Sequence, residues 1–143
     1  MEQRVSLITL GVADPAASKA FYERLGWHCA LDVHETVFFQ LGGVIFTLWS
    51  RDKLAQDVNV TDDGGWGGVA LAHNVRSESE VDAVIEQARS AGATISVEPR
   101  TTFYGGYAGT FVDPDGHPWE IAFNPGFPVA GDGTISIPEP LRS

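Results

Sequence analysis

The stretch Asp113-Pro114-Asp115-Gly116-His117-Pro118-Trp119-Glu120-Ile121 is typical of a tight turn that opens directly into a β-strand. Proline at the second turn position fixes φ, and Asp and Gly supply the rest of the turn geometry. Because side chains alternate along a strand, Trp119 and Ile121 point to one face and Glu120 to the other. A carboxylate opposite two large apolar side chains either faces solvent or lines a cavity. The role of Glu120 depends on which of these holds.

The composition indicates a soluble protein. The chain has 143 residues, 43% of them hydrophobic and 20% charged, which suits one domain with its own core. Cys29 is the single cysteine, so an intrachain disulfide is excluded. The first residues lack the long apolar stretch of a signal peptide, and no apolar run approaches the ~20 residues of a membrane-spanning helix. We therefore expect a cytoplasmic protein.

The net charge of −10 argues against nucleic acid or an anionic membrane as the main partner, since both require a basic surface. It is compatible with a cationic ligand, although an acidic surface that maintains solubility explains the same charge.

The first half of the chain predicts one strand, one helix and three further strands. Residues 5–12 are strand-like, and Asp14-Pro15 supplies a helix N-cap and first residue. Residues 16–25 then have helical spacing, and Gly26 ends the helix. Strands follow at residues 27–33, 36–41 and 44–50, with a Gly42-Gly43 hairpin turn between the last two.

The second half repeats this order after a polar linker at residues 51–67. Residues 69–75 are strand-like, and Ser77 with Glu80 forms a capping box for a helix that Gly92 ends. Strands follow at residues 94–97, 107–113 and 118–123. The remaining tail, residues 125–143, is expected to be extended, with a short edge strand at residues 134–137.

An offset of 63 residues aligns the two halves, cap on cap. The sequence therefore predicts a single α+β domain, residues 1–143, made of two βαβββ modules at about residues 5–50 and 68–123. Each module is a small curved mixed sheet with a helix on one face, and the other faces are expected to enclose a shared cavity. A ferredoxin-like sandwich is the alternative, but it leaves strands unplaced.

The chain resembles the vicinal oxygen chelate superfamily, which includes glyoxalase I, extradiol dioxygenases and the fosfomycin and bleomycin resistance proteins. The resemblance rests on Leu10-Gly11-Val12-x-Asp14 before Phe21-Tyr22-x-x-Leu25-Gly26, and on Asp113-Pro114-Asp115-Gly116-x-x-x-Glu120. It covers residues 5–125 and implies the fold more strongly than the reaction, since related folds host different chemistries.

The resemblance also implies a metal site, from which this sequence departs. The terminal Glu ligand of metal-dependent members matches Glu120, whereas Leu7, Ala70 and Thr47 stand at or near the other ligand positions. One carboxylate does not hold a divalent metal tightly. We therefore expect no metal and no other cofactor. His73 shares parity with Leu71 and Val75 and is expected to lean toward the helix side.

Strand parity and the glycine-flanked aromatic loops select the residues expected to bind a ligand: Thr9, Thr47, Trp49, Trp66, Asn74, Tyr104, Tyr107 and Glu120. Three functions remain open. The first is a bleomycin-resistance-like protein that binds a small aromatic or cationic molecule without a metal. The second is an enzyme, a lyase, isomerase or dioxygenase, in which Glu120 is the acid or base and Tyr104 or Tyr107 assists. The third is a metal-dependent lyase or dioxygenase with irregular ligands, in which Glu120 is a residual metal ligand. A homodimer is expected, with the tail near its interface.

Overall fold

A computed structural model describes residues 1–138 of the chain. Residues 139–143, the end of the predicted tail, lie outside the described part. The chain forms two compact units. The first contains Met1–Gly67 and Pro114–Gly116, and the second contains Gly68–Asp113 and the chain from His117 onward.

The first unit contains one four-stranded mixed sheet and two helices. Its elements are β1 (Leu7–Val12), α1 (Pro15–Arg24), β2 (Leu31–Val33), β3 (Thr36–Leu41), β4 (Val44–Ser50) and α2 (Arg51–Val58). The strand order is β1-β4-β3-β2, with β1 parallel to β4 and the other pairs antiparallel. The predicted βαβββ order is therefore confirmed for this unit.

An aromatic cluster forms the core between α1 and this first sheet. Tyr22 is fully buried and stacks on Trp27, with ring centroids 5.1 Å apart, and it meets Phe46 edge-on at 5.1 Å. Asp14 caps α1 as predicted, because its carboxylate accepts from the backbone N–H of Ala16. The cluster holds α1 against one face of the sheet.

Helix α2 replaces the first half of the predicted linker. The Ser50 hydroxyl accepts from the backbone N–H of Lys53, and Asn59 ends the helix in the left-handed region at φ 53°. None of its side chains is buried, so the apolar periodicity that reveals a helix in a sequence is weak here. The guanidinium of Arg51 then donates to Asp62 at 2.6 Å and to the carbonyl of Gly65 at 3.1 Å, which ties the following loop to the helix start.

The second unit repeats the architecture with one helix. Its elements are β5 (Leu71–Asn74), α3 (Glu78–Ala91), β6 (Thr94–Thr101), β7 (Tyr107–Val112) and β8 (Pro118–Phe123). The strand order is β5-β8-β7-β6, again with the outer β5 parallel to its neighbour β8. The repeated order confirms the α+β class and the two mixed sheets that the sequence predicts.

The predicted capping box starts α3. The backbone N–H of Glu80 donates to the Ser77 hydroxyl at 3.2 Å, and the Glu80 carboxylate accepts from the backbone N–H of Arg76 at 2.7 Å. Gly92 ends the helix at φ 106°. Val81 and Ile85 are buried, so α3 covers one face of this second sheet.

Two strands and the tail differ from the sequence prediction. Strand β6 runs to Thr101 rather than to residue 97, with register shifts on either side of Val97. Strand β2 is limited to Leu31–Val33, whereas residues 27–33 were expected to be extended. In the described tail, Ile135 forms one isolated antiparallel bridge with Val129 and not a longer strand.

Candidate functional site

The turn before β8 fixes the position of Glu120. Asp113 is buried, its carboxylate accepts from the backbone N–H of His117 at 2.9 Å, and its own N–H donates to the carbonyl of His117 at 2.9 Å. This closed turn sets the register in which β8 starts. Trp119 and Ile121 are then 7% and 1% exposed on the α3 side, and Glu120 is exposed on the opposite face.

The neighbours of Glu120 on this face are small or polar. Its register partners are Ala72 on β5 and Thr110 on β7. The face contains a concavity of about 470 Å³, which we call the Glu120 pocket; among its lining residues are Val97, Arg100, Phe103, Tyr104, Thr110 and Glu120. It combines a carboxylate, a guanidinium and aromatic rings, a composition that suits a small organic ligand.

An ordered loop carries the aromatic rings of the pocket. The Thr102 hydroxyl accepts from the backbone N–H of Gly106 at 3.0 Å, and the N–H of Thr102 donates to the carbonyl of Gly106 at 3.0 Å. A Cβ at Gly106 would collide with the carbonyl oxygen of Phe123 and approach the Tyr104 ring to 2.5 Å. Glycine at this position therefore lets Tyr104 lie against the backbone, while Phe103 stays fully exposed at the loop tip.

Two tyrosines expected in the same site lie on opposite faces of the second sheet. Tyr104 lines the Glu120 pocket. Tyr107 pairs with Phe123 on the α3 side, and its hydroxyl donates to the Asp82 carboxylate on α3 at 2.7 Å. That hydrogen bond, with a smaller contribution from desolvation, raises the pKa of Tyr107. Strand parity explains the position of Tyr107. It lies three residues from Thr110, the register partner of Glu120, so its side chain points to the opposite face.

A second cavity of about 590 Å³ lies where β5, α3 and the tail meet, and its lining includes His73, Asn74, Val84, Val129 and Ile135. Asn74 lines this cavity and not the Glu120 pocket. Partial burial beside α3 lowers the pKa of His73, although the nearby Glu80 carboxylate acts in the opposite direction. His73 thus leans toward the helix side, as its parity indicates.

The expected site residues of the first unit lie mainly on the sheet face away from α1. Thr9 pairs with Thr47, and Trp49 follows two residues later on the same side of β4. Thr47 is only 4% exposed, and its hydroxyl has no hydrogen-bond partner within residues 1–138. Trp66 lies apart from any strand, in the loop after α2, and is 64% exposed.

The donor chemistry of these residues does not fit the metal of the superfamily. Leu7 and Ala70 carry no donor atom, and the register neighbours of Glu120 add only a methyl group and the Thr110 hydroxyl. Within residues 1–138, no three His, Cys, Asp or Glu side chains are grouped to hold a metal ion.

Arg100 is a charged pocket residue that the sequence did not lead us to select. The predicted strand ended at residue 97, so Arg100 was placed outside the sheet. In the structure, β6 continues through two register shifts and Arg100 pairs with Ala108, on the face that carries Glu120. Arg100 lies three positions beyond the predicted end of the strand, and register shifts interrupt the alternation in between. The face to which it points could therefore not be predicted from strand parity.

The chain is similar to known proteins over most of its length. The family model of the Glyoxalase/Bleomycin resistance protein/Dioxygenase superfamily matches residues 4–121. A solved structure described as a glyoxalase-related enzyme from Fulvimarina pelagi is 41% identical, covers 94% of this chain and 97% of its own, and superposes with a TM-score of 0.87. The chain therefore belongs to the glyoxalase/bleomycin resistance protein/dioxygenase superfamily.

More distant structures share the fold. A glyoxalase/bleomycin resistance protein/dioxygenase family enzyme from Burkholderia phytofirmans is 22% identical with a TM-score of 0.72, covering 82% of this chain and 96% of its own. A lactoylglutathione lyase from Agrobacterium tumefaciens is 20% identical with a TM-score of 0.66, covering 86% and 95%. A search of curated proteins found no match. Within residues 1–138, no helix is both long and apolar enough to span a membrane.

Proposed function

We propose that this protein binds a small aromatic molecule in the Glu120 pocket, with a cationic or hydrogen-bond-donating group of the ligand directed at Glu120, and that binding needs no metal. The observation that carries the proposal is the placement of Glu120 and Tyr104 in one concavity on the sheet face that α3 leaves uncovered.

The contacts of Glu120 support binding rather than a structural role. Its side chain takes part in no ion pair and no hydrogen bond within the described residues. The core on the other side of β8 is complete without it, since Trp119 and Ile121 are buried there. A carboxylate with no partner among the described residues is available for a charge-assisted hydrogen bond to a ligand.

The rings of the pocket supply the apolar part of the interaction. Phe103 and Tyr104 meet edge-on with centroids 5.3 Å apart, and Phe103 is fully exposed. Exposed aromatic rings beside a carboxylate suit a flat molecule, because stacking and cation–π contact add to the charge-assisted hydrogen bond.

An enzymatic role is the second candidate, favoured by the presence of Tyr104 and Glu120 in the lining of one pocket. Glu120 would then act as acid or base on a bound substrate with Tyr104 assisting, as in a lyase or isomerase. Quantitative recovery of the unchanged ligand after incubation supports the binding protein, and a new product in the mass spectrum supports the enzyme.

A thermal-shift screen with aromatic amines and other flat cationic metabolites tests the proposal, and calorimetry then quantifies the hits. Glu120→Gln should weaken binding by about 1.5–3 kcal/mol, the range for a hydrogen bond to a charged group, and leave the melting temperature unchanged or higher. Glu86→Gln on α3 is the matched control, because it removes the same charge from the covered side of the sheet. If Glu120→Gln unfolds the protein and leaves the affinity of the folded fraction intact, Glu120 is structural and the proposal is wrong.

A further inference from the structure

The Glu120 pocket contains two opposite charges that do not pair with each other. Arg100 and Glu120 both line it. Within residues 1–138 neither side chain belongs to an ion pair, although other charged side chains, such as Arg51 and Asp62, do pair. In the described part of the chain, neither side chain has a hydrogen-bond partner either.

The register places the two charged residues on strands on either side of β7. Glu120 on β8 pairs with Thr110, and Arg100 on β6 pairs with Ala108, two residues earlier on the intervening strand β7. Two strand spacings and two residues along β7 place the two Cα atoms about 12 Å apart. Glu120 and Arg100 therefore line the pocket from strands on either side of β7, whose Thr110 and Ala108 lie between them in the sheet.

We infer that the ligand is zwitterionic: an aromatic molecule with an ammonium group directed at Glu120 and a carboxylate or similar planar anion directed at Arg100. This inference rests on the proposed function and names its ligand class. A ligand with both groups satisfies both side chains, and guanidinium matches carboxylate in a two-point hydrogen-bonded geometry. A ligand with the ammonium alone meets an unpaired cation at the other end of the pocket, which reduces its affinity.

The spacing adds a requirement on the ligand. We expect the two charges at opposite ends of the ring, because Arg100 and Glu120 come from strands separated by β7. The aromatic body then spans the pocket beside Phe103 and Tyr104.

Three matched probes test the inference by calorimetry or ligand-observed NMR. They are 4-(aminomethyl)benzoate, which carries both charges at opposite ends, benzylamine, which carries only the ammonium, and benzoate, which carries only the carboxylate. We expect the zwitterion to bind about 10-fold more tightly than either single-charge probe, one charge-assisted contact being worth at least that factor.

Variants separate this inference from the proposed function. Arg100→Gln should reduce the affinity for 4-(aminomethyl)benzoate about 10-fold and leave that for benzylamine equal or higher. Glu120→Gln should weaken benzylamine and the zwitterion alike. Arg89→Gln, which removes an arginine from α3 on the covered face, is the control and should change neither affinity.

Each outcome decides one of the two statements. If benzylamine binds through Glu120 while Arg100→Gln leaves the zwitterion unaffected, the ligand class is wrong and the proposed function stands. If Arg100→Gln strengthens the zwitterion, the ligand class is likewise wrong. If none of the three probes binds wild-type protein at millimolar concentration, both statements are wrong. If the wild type and the variants have the affinities expected above, the result supports both the zwitterionic ligand class and the proposed function.

Discussion

The hydroxyl of Tyr107 donates a 2.7 Å hydrogen bond to the carboxylate of Asp82, which joins β7 to α3 on the covered face of the second sheet. This contact places Tyr107 outside the Glu120 pocket and gives it a structural partner. Tyr104, three residues earlier, lies on the loop that borders the pocket. The two tyrosines should therefore respond differently to substitution.

The decrease in melting temperature at alkaline pH, the alkaline limb of the stability profile, tests the role of Tyr107. Its pKa is raised in the folded protein above the ordinary value of about 10. The folded state then binds the phenolic proton more tightly, so this contribution to stability is complete below about pH 10 and is lost as the pH rises through the folded-state pKa. Tyr107→Phe should have a flatter alkaline limb in thermal melts than the wild type.

Binding by the same variant provides the control. Tyr107→Phe should keep wild-type affinity for any ligand of the Glu120 pocket, whereas Tyr104→Ala should weaken it. Equal loss of affinity in both variants would contradict the separation of the two faces. The chain has three tyrosines, so tyrosinate absorbance compared between the wild type and Tyr107→Phe shows whether the late-titrating phenol is Tyr107.

The acid limb of stability depends on Asp62. The hydrogen bond from Arg51 lowers the pKa of Asp62 to about 2, with help from the backbone N–H of Gly64. The contribution is present above the unfolded value of about 4 and is lost as the pH falls through about 2. The melting temperature of Asp62→Asn should therefore fall less than that of the wild type over this range.

A charge control accompanies this measurement. Asp57→Asn removes a carboxylate from α2, where no described ion pair involves it. Its acid limb should follow that of the wild type. If the two variants behave alike, the loss of any surface carboxylate explains the effect, and the Arg51–Asp62 pair is not its cause.

Gly106 is expected to be the least replaceable glycine in the second unit. A Cβ there collides with the carbonyl oxygen of Phe123 and with the Tyr104 ring. Gly106→Ala should cost about 1–3 kcal/mol of unfolding free energy, as overpacking does, and should also weaken binding because the ring of Tyr104 moves. Gly131→Ala, where a Cβ meets nothing within 4 Å, is the control and should leave both quantities unchanged. Urea denaturation of the two variants checks this.

The sequence predicted the features that depend on nearby residues, namely the helix caps and a hairpin turn. The caps at Asp14 and Ser77 and the hairpin at Gly42-Gly43 are present, because each depends on residues within four positions. Helix α2 was missed because it buries no face. The placement of Arg100 was missed because register shifts in β6 break the alternation on which parity relies. The homodimer and the cytoplasmic location stay predictions.

The last prediction concerns Thr47, which the sequence selected as a ligand-binding residue. Its side chain is 4% exposed and its hydroxyl lacks a hydrogen-bond partner within residues 1–138. A buried hydroxyl without a partner costs stability, so the nearly isosteric Thr47→Val should raise the free energy of unfolding by about 1–2 kcal/mol. Thr9→Val, on the neighbouring strand and partly exposed, is the matched control and should change it less. Urea denaturation measures both. If Thr47→Val is less stable than the wild type, the hydroxyl has a partner such as an ordered water, and Thr47 is a satisfied polar group rather than a destabilising one.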